Sequence, residues 1–132
     1  MGTATVVTNL GKAMFADRVG AAATYTTAPK YCAMGVGATG ASRTASASDT
    51  ALTTEVETRT SGTVSAVTTS QTGDTYQVVG TITATNTRAV DEFGLFDASS
   101  SGHMGFSATF TTSVINLGNG DALQFTAKIQ LT

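Results

Sequence analysis

Two stretches near the end of this 132-residue chain alternate apolar and polar residues at every second position: residues 104–110 and residues 123–131. Residues 76–84 follow the same pattern. A period of two is typical of a β-strand with one buried face, because successive side chains of a strand point to opposite sides of the sheet. The pattern therefore predicts strands over all three stretches and favours a fold built from sheets.

The composition points the same way. Threonine makes up roughly a fifth of the residues, and β-branched side chains fit a pleated strand better than a helix. Further short apolar runs are separated by turns rich in glycine, serine and asparagine. We therefore predict an all-β fold, an antiparallel β-sandwich of jelly-roll type with one short N-terminal helix. A β-barrel is the alternative arrangement of the same strands.

The length of the chain predicts one domain, which we expect to span residues 1–132. Residues 1–29 are expected to form an N-terminal arm and helix. Within them, residues 3–8 read as a short strand or arm, and Asn9 is predicted to cap a helix that runs to about Val19.

Several glycine and aspartate residues are predicted to form structural turns, because glycine adopts positive φ without strain and aspartate binds nearby amides. These residues are Gly37, Gly73, Asp74, Gly94, Gly120 and Asp121. Residues 30–36 read as a buried strand, and residues 49–52 are predicted to form one helical turn.

Residues 35–40 have the glycine spacing of a dinucleotide-binding fingerprint. That fingerprint works because its third glycine opens a helix whose amides hold the pyrophosphate. Residues 41–46 are poorly suited to such a helix. We therefore interpret the stretch as a flexible glycine turn and expect no nucleotide cofactor.

Cys32 and His103 are the only residues of their types. Catalysis by a thiol and an imidazole would require them to meet in space, but Cys32 sits in an apolar strand and His103 beside a turn. We predict a buried inert thiol and an exposed histidine. One cysteine and one histidine cannot supply the usual zinc ligands, and a lone cysteine excludes an intrachain disulfide.

The carboxylates show no catalytic pairing. Asp91 and Glu92 are adjacent, so in a strand they are expected to point to opposite faces. Glu55 and Glu57 share a face that Arg59 continues, and this arginine is predicted to be their charge partner. Serines are numerous, yet no Gly-x-Ser-x-Gly nucleophile elbow accompanies them. We predict that the protein is not an enzyme and uses no cofactor or metal.

Charge excludes further classes of partner. The formal net charge is -2, and the seven basic residues are scattered singly, so we expect no nucleic-acid partner. No apolar stretch approaches the roughly 20 residues that span a bilayer, so we expect no membrane partner. Only 12% of the residues are charged, against about 25% in an ordinary soluble domain. A surface with so little charge favours association.

Four segments, in chain order, resemble a known class of protein. They are residues 29–31 with 35–37, residues 49–55 with Arg59, residues 92–98, and Gly120 and Asp121 with the terminal alternating strand. Together they resemble head decoration, or cement, proteins of tailed bacteriophages, which are small virion structural proteins with a jelly-roll-like fold.

The resemblance implies a function by assembly. A protein of this class would bind the major capsid protein as a homotrimer at three-fold or quasi-three-fold sites and stabilise the shell. It would lie on the outer surface of the virion capsid, after assembly in the cytoplasm of the bacterial host. The alternative is a component of a phage tail, fibre or baseplate, or a module that binds a receptor or glycan.

The expected assembly contacts lie at the N-terminus and on one aromatic residue. Residues 3–8 are predicted to add a strand to a neighbouring protomer, through Thr3, Thr5, Val6 and Val7. Alternation places Phe106 on an inward face, whereas Phe96 lies on the face opposite that of its neighbour Leu95. We therefore expect Phe96 to be an exposed assembly contact and Phe106 to belong to the core.

Overall fold

The computed structural model describes residues 3–25, 27–110 and 113–132. Within these ranges the chain forms one helix and nine strands: β1 Thr3–Val7, α1 Asn9–Gly20, β2 Tyr31–Val36, β3 Glu55–Ser61, β4 Thr63–Val67, β5 Thr75–Thr83, β6 Arg88–Phe96, β7 Met104–Phe110, β8 Ile115–Leu117 and β9 Ala122–Gln130. All strand pairs are antiparallel. The predicted antiparallel β-sandwich with one short N-terminal helix is confirmed.

The two sheets differ in width. The larger has the order β1-β7-β6-β2-β3, with β8 paired to β6, and the smaller has the order β4-β5-β9. Their inner faces meet in one core, in which Phe93 of β6 stacks on Phe125 of β9 with ring centroids 4.3 Å apart. The buried side chains of β5, including Val78 and Ile82, belong to the same core. The alternation predicted for residues 76–84 and 123–131 is therefore confirmed.

Gly62 carries the chain from the larger sheet into the smaller one. It lies between β3 and β4, which belong to different sheets. A Cβ atom at this position would stand 2.4 Å from Cγ1 of Val78, a distance that no side chain tolerates. Glycine thus leaves room for Val78 where the chain crosses from one sheet to the other.

Helix α1 is capped by Thr8 and not by Asn9, which is the first helical residue. The hydroxyl oxygen of Thr8 accepts from the amide of Gly11 at 3.0 Å and its proton goes to the carbonyl of Met104. Thr8 is fully buried, so one side chain both starts the helix and fixes it to β7. The helix ends one residue beyond the predicted Val19, before Ala21 in the left-handed region.

The outer face of the larger sheet is covered by residues 37–54. Ser107 and Thr109 of β7, the polar positions of the alternation in residues 104–110, are buried beneath this segment. There Thr109 accepts from the amide of Ala45, and Ser107 donates to Asp49. The segment is irregular, so the helical turn predicted at residues 49–52 is wrong. Carboxylate and hydroxyl groups of the sheet accept hydrogen bonds from backbone amides of this segment, so these amides have partners without a helix.

A second apolar cluster lies under the same segment and contains Ala33, Leu52, Phe96 and Met104. Met104 was expected on the face of Phe106, but a register shift between β6 and β7 pairs Leu95 with Phe106 and Phe96 with Met104. This bulge turns Met104 to the outer face of the sheet.

The predicted turns are found at most of their positions. Gly37, Gly73 and Gly120 have positive φ, at 92°, 71° and 90°, and the carboxylate of Asp121 accepts from the amide of Gly118 at 2.7 Å. The carboxylate of Asp74 accepts hydrogen bonds from the backbone amides of residues 69–71, in the turn before it.

Gly94 is not a turn residue, because it lies within β6 opposite Ala33. A Cβ atom there would stand 3.1 Å from the Phe96 ring and from Met104. This glycine therefore leaves room for the second apolar cluster.

Candidate functional site

The structure keeps Cys32 and His103 in different surroundings. Cys32 is fully buried in the core between the sheets, and burial raises the pKa of its thiol to about 11. His103 is half-exposed, with Nδ1 2.9 Å from Oδ2 of Asp97 and its ring edge-on to Tyr25. A thiol with a raised pKa is a poor nucleophile at neutral pH, so this pair offers no catalytic arrangement.

The glycine-rich turn uses its amides inside the protein. The amides of Ala38 and Thr39 donate to the two carboxylate oxygens of Asp91, at 3.1 Å and 2.9 Å. An anion-binding turn needs free amides aimed at its ligand, and these two amides already hold an internal carboxylate. The turn is therefore a structural connection to β6.

Asp91 and Glu92 both hold the segment over the outer face, although their adjacency predicted opposite faces. A register shift pairs Gly35 with Glu92 and Val36 with Val90, which leaves Asp91 unpaired as the extra residue of a β-bulge. The fully buried Glu92 accepts from the amide of Thr53 at 2.7 Å and binds the guanidinium of Arg43. The sequence gives no sign of this bulge.

Within the described residues no three carboxylate, cysteine or histidine groups come together as a candidate metal centre. Glu55 and Arg59 form the predicted ion pair, with Oε1 and Oε2 at 2.7 Å and 2.9 Å from the guanidinium. Glu57 does not join them. It has φ of 65° at a second bulge and binds Arg88 and Thr85 instead, which hold its pKa below the usual value.

Phe96 is not an exposed assembly contact. The residue lies on the outer face of the larger sheet, as alternation predicts, but only 2% of it is exposed. Leu52 and Met104 pack in the same cluster, and the guanidinium of Arg59 lies 3.5 Å from the ring centroid. The segment between β2 and β3 covers Phe96, and the sequence around Phe96 does not predict this.

The N-terminal strand, expected to reach a neighbouring molecule, pairs within its own chain. Thr3, Thr5, Val6 and Val7 lie opposite Phe110, Ala108, Ser107 and Phe106 of β7. Among the described residues β1 pairs with β7 alone, so it forms one edge of the larger sheet. Its other edge therefore keeps backbone donors and acceptors available for a further strand.

An apolar groove runs along one open side of the sandwich, between β1 and β9. Among the described residues, strand β9 pairs only with β5, so it is the last strand of the smaller sheet on this side. Thr5 is on the inner face of β1, in register with the inward-facing Ala108, and yet it is exposed. Within the described ranges, the smaller sheet thus has no strand that covers this position. We call this feature the β1–β9 groove.

The upper half of the β1–β9 groove is a cavity of about 190 Å³. Its walls are Thr5 of β1, Phe93 of β6, Phe106, Ala108 and Phe110 of β7, and residues 125–128 of β9. Sites for drug-sized ligands usually measure about 300–1,000 Å³, whereas about 150 Å³ holds a benzene-sized group. The cavity has the size of one large apolar side chain.

The lower half of the groove continues along β9 to helix α1. It is lined by Val7, Lys12, Phe15 and residues 129–132, and Leu131 is 62% exposed there. The two halves share β9 as one wall. Both halves have mainly apolar linings and lie beside the edge of β9 that is unpaired among the described residues. This arrangement suits an extended peptide that binds by strand addition.

Comparison with protein-family models, with curated proteins and with solved structures gives no match. No helix of the described residues is both long and apolar enough to cross a membrane.

Proposed function

We propose that the protein is a virion structural protein that decorates and stabilises a phage capsid. In this role it binds the major capsid protein at three-fold or quasi-three-fold sites as a homotrimer, on the outer surface of the shell. The observation that carries the proposal is the β1–β9 groove, because a mainly apolar surface beside a strand edge that is unpaired among the described residues suits the binding of another protein.

Self-association is proposed to use the two ends of the larger sheet. Strands β1 and β3 stand at opposite ends of that sheet, and each pairs with one strand only among the described residues. A contact between β1 of one protomer and β3 of the next is head-to-tail, and such contacts close into a ring when the rotation between neighbours allows it. The residues expected from the sequence, Thr3, Thr5, Val6 and Val7, keep this role as part of β1.

Shell stabilisation follows from mass action. A trimer that binds assembled capsid subunits but not free ones favours the assembled state. Three linked contacts raise the local concentration of each further contact, so that avidity can exceed a single affinity by about 10² to 10⁴. Little side-chain entropy is lost when a surface rich in threonine, serine and alanine becomes ordered.

The proposal is tested by light scattering followed by co-sedimentation with capsids from which the protein has been removed. We expect a mass three times that of the 13.3 kDa protomer and saturable binding to the capsids, competed by unlabelled protein. A monomer that leaves capsids unbound would contradict the proposal. If such a monomer bound tail structures or an array of glycans, the alternative reading as a tail component or a glycan-binding module would replace it.

A further inference from the structure

The β1–β9 groove has a charge as well as a shape. Lys128 of β9 lines the upper half and Lys12 of α1 lines the lower half, whereas no aspartate or glutamate lines either half among the described residues. No carboxylate of the described residues forms an ion pair with either lysine. In a protein of net charge -2, the charged side chains that line this groove among the described residues are therefore both positive.

The two faces of β9 indicate how an added strand would lie, with its apolar face toward the core and its charged face toward solvent. Phe125, Ala127 and Ile129 of β9 are buried and face the core, whereas Lys128 is exposed on the other face. A strand added to the free edge of β9 would continue the same alternation. Its inward side chains would enter the cavity beside Thr5, and its outward side chains would lie next to Lys128.

We infer that the β1–β9 groove binds an extended, acidic segment of a partner protein, in which large apolar residues alternate with residues that include glutamate or aspartate. The segment becomes the fourth strand of the smaller sheet. One apolar side chain fills the cavity of about 190 Å³, and the carboxylates pair with Lys128 and Lys12. This goes beyond capsid decoration, because it concerns the kind of segment that the groove accepts on any partner.

The test uses the full-length protein and synthetic peptides in a calorimetric titration. The probe is an end-capped eight-residue peptide in which leucine alternates with glutamate and threonine. Two matched peptides replace glutamate by lysine or leucine by glycine. We expect the acidic leucine peptide to bind about tenfold or more tightly than either matched peptide, and its affinity to fall as salt is raised.

Two variants locate the binding site, and a third is the control. Thr5→Trp places a ring over the cavity from an exposed position and should weaken the acidic peptide about tenfold or more, since burial of a leucine side chain is lost. Lys128→Glu should abolish the preference for the acidic over the lysine peptide, because the groove then carries one negative and one positive side chain. Thr63→Trp changes an exposed threonine of β4 on the opposite side of the sandwich and should leave both affinities unchanged.

Equal affinity for the acidic and the lysine peptide would overturn the inference. So would unchanged affinity in Thr5→Trp, or no binding of the acidic peptide. If a second copy of the chain occupied the groove, the acidic peptide would not bind, which also overturns the inference. A changed mass of Thr5→Trp in solution concerns the β1 contact of the proposed homotrimer and does not test the groove. Capsid binding is measured separately, so failure of this inference and failure of the proposed function are distinguishable.

Discussion

Glu92 shows how a single residue can look catalytic and act structurally. Its side chain is fully buried and is joined to the covering segment by Thr53 and Arg43. Removing one partner of a buried ion pair costs much more than the pair contributes, because the remaining charge loses both solvent and partner. The stability of the outer face should therefore depend on this carboxylate.

We expect Glu92→Gln to lower the free energy of unfolding by about 2–3 kcal/mol, because Arg43 loses one of its two charged partners and keeps Asp49 and the carbonyl of Ala51. The matched control is Glu55→Gln, which removes an ion pair with Arg59 near the surface and should cost about 1 kcal/mol or less. Urea unfolding measures both. Equal losses in the two variants would show that the buried network does not hold the segment.

Asp74 gives a prediction about pH. Its carboxylate accepts the amides of Gln71, Thr69 and Ser70, and these hydrogen bonds hold its pKa well below the ordinary value of 3.8. A group with a lowered folded-state pKa stabilises the fold above its unfolded pKa, and this stability is lost as the pH falls toward the folded value. Unfolding by urea should therefore become easier as the pH falls below about 4.

The variant Asp74→Asn keeps an acceptor in the turn but cannot titrate. We expect its free energy of unfolding to change less than that of the wild type between about pH 4 and pH 2. The two proteins are compared at constant ionic strength. Parallel pH dependence would mean that Asp74 is not a source of the acid sensitivity.

For single residues, the sequence predicts contacts within one strand better than burial by distant parts of the chain. The burial of Cys32 and the ion pair of Glu55 with Arg59 follow from neighbours within one strand, and both are confirmed. The burial of Phe96 and Glu92 depends on residues 37–54, which are distant in the sequence or irregular. No local pattern carries that information.

The strands with a clear alternation and the helix were predictable because their signals are local. The errors within them come from three bulges, at Glu57, at Asp91 and between Met104 and Phe106. An extra residue shifts every later side chain to the other face of the strand. A period of two, read along a single strand, cannot show which residue the partner strand leaves unpaired.

Helix α1 depends on a close approach to β7. A Cβ atom at Gly11 would stand 2.0 Å from the carbonyl oxygen of Gly105. We expect Gly11→Ala to destabilise the protein by about 1–3 kcal/mol, because the overpacked helix must shift, although alanine is the better helix former. Thermal or urea unfolding measures the loss.

The control for that substitution is in the same helix. At Gly20 a Cβ atom would meet nothing within 4 Å, so Gly20→Ala should be neutral or stabilising by up to about 1 kcal/mol. Stabilisation in both variants would contradict the close contact between α1 and β7.

The whole molecule is a sandwich with one side left open. Five strands follow one another across the larger sheet and three across the smaller, so β1 extends beyond the smaller sheet and the Phe-lined cavity remains accessible. The composition predicted a sandwich, and alternation predicted its inner faces. The unequal widths were not predictable, because they depend on which sheet each strand joins, and this in turn depends on the crossing at Gly62.

The central claim, that the molecule functions by binding a capsid, is tested most directly by electron cryomicroscopy of stripped capsids to which the purified protein has been added back. The account predicts trimeric density on the outer surface at three-fold or quasi-three-fold positions, absent from the bare capsids. Reconstructions that are identical with and without the protein would contradict it.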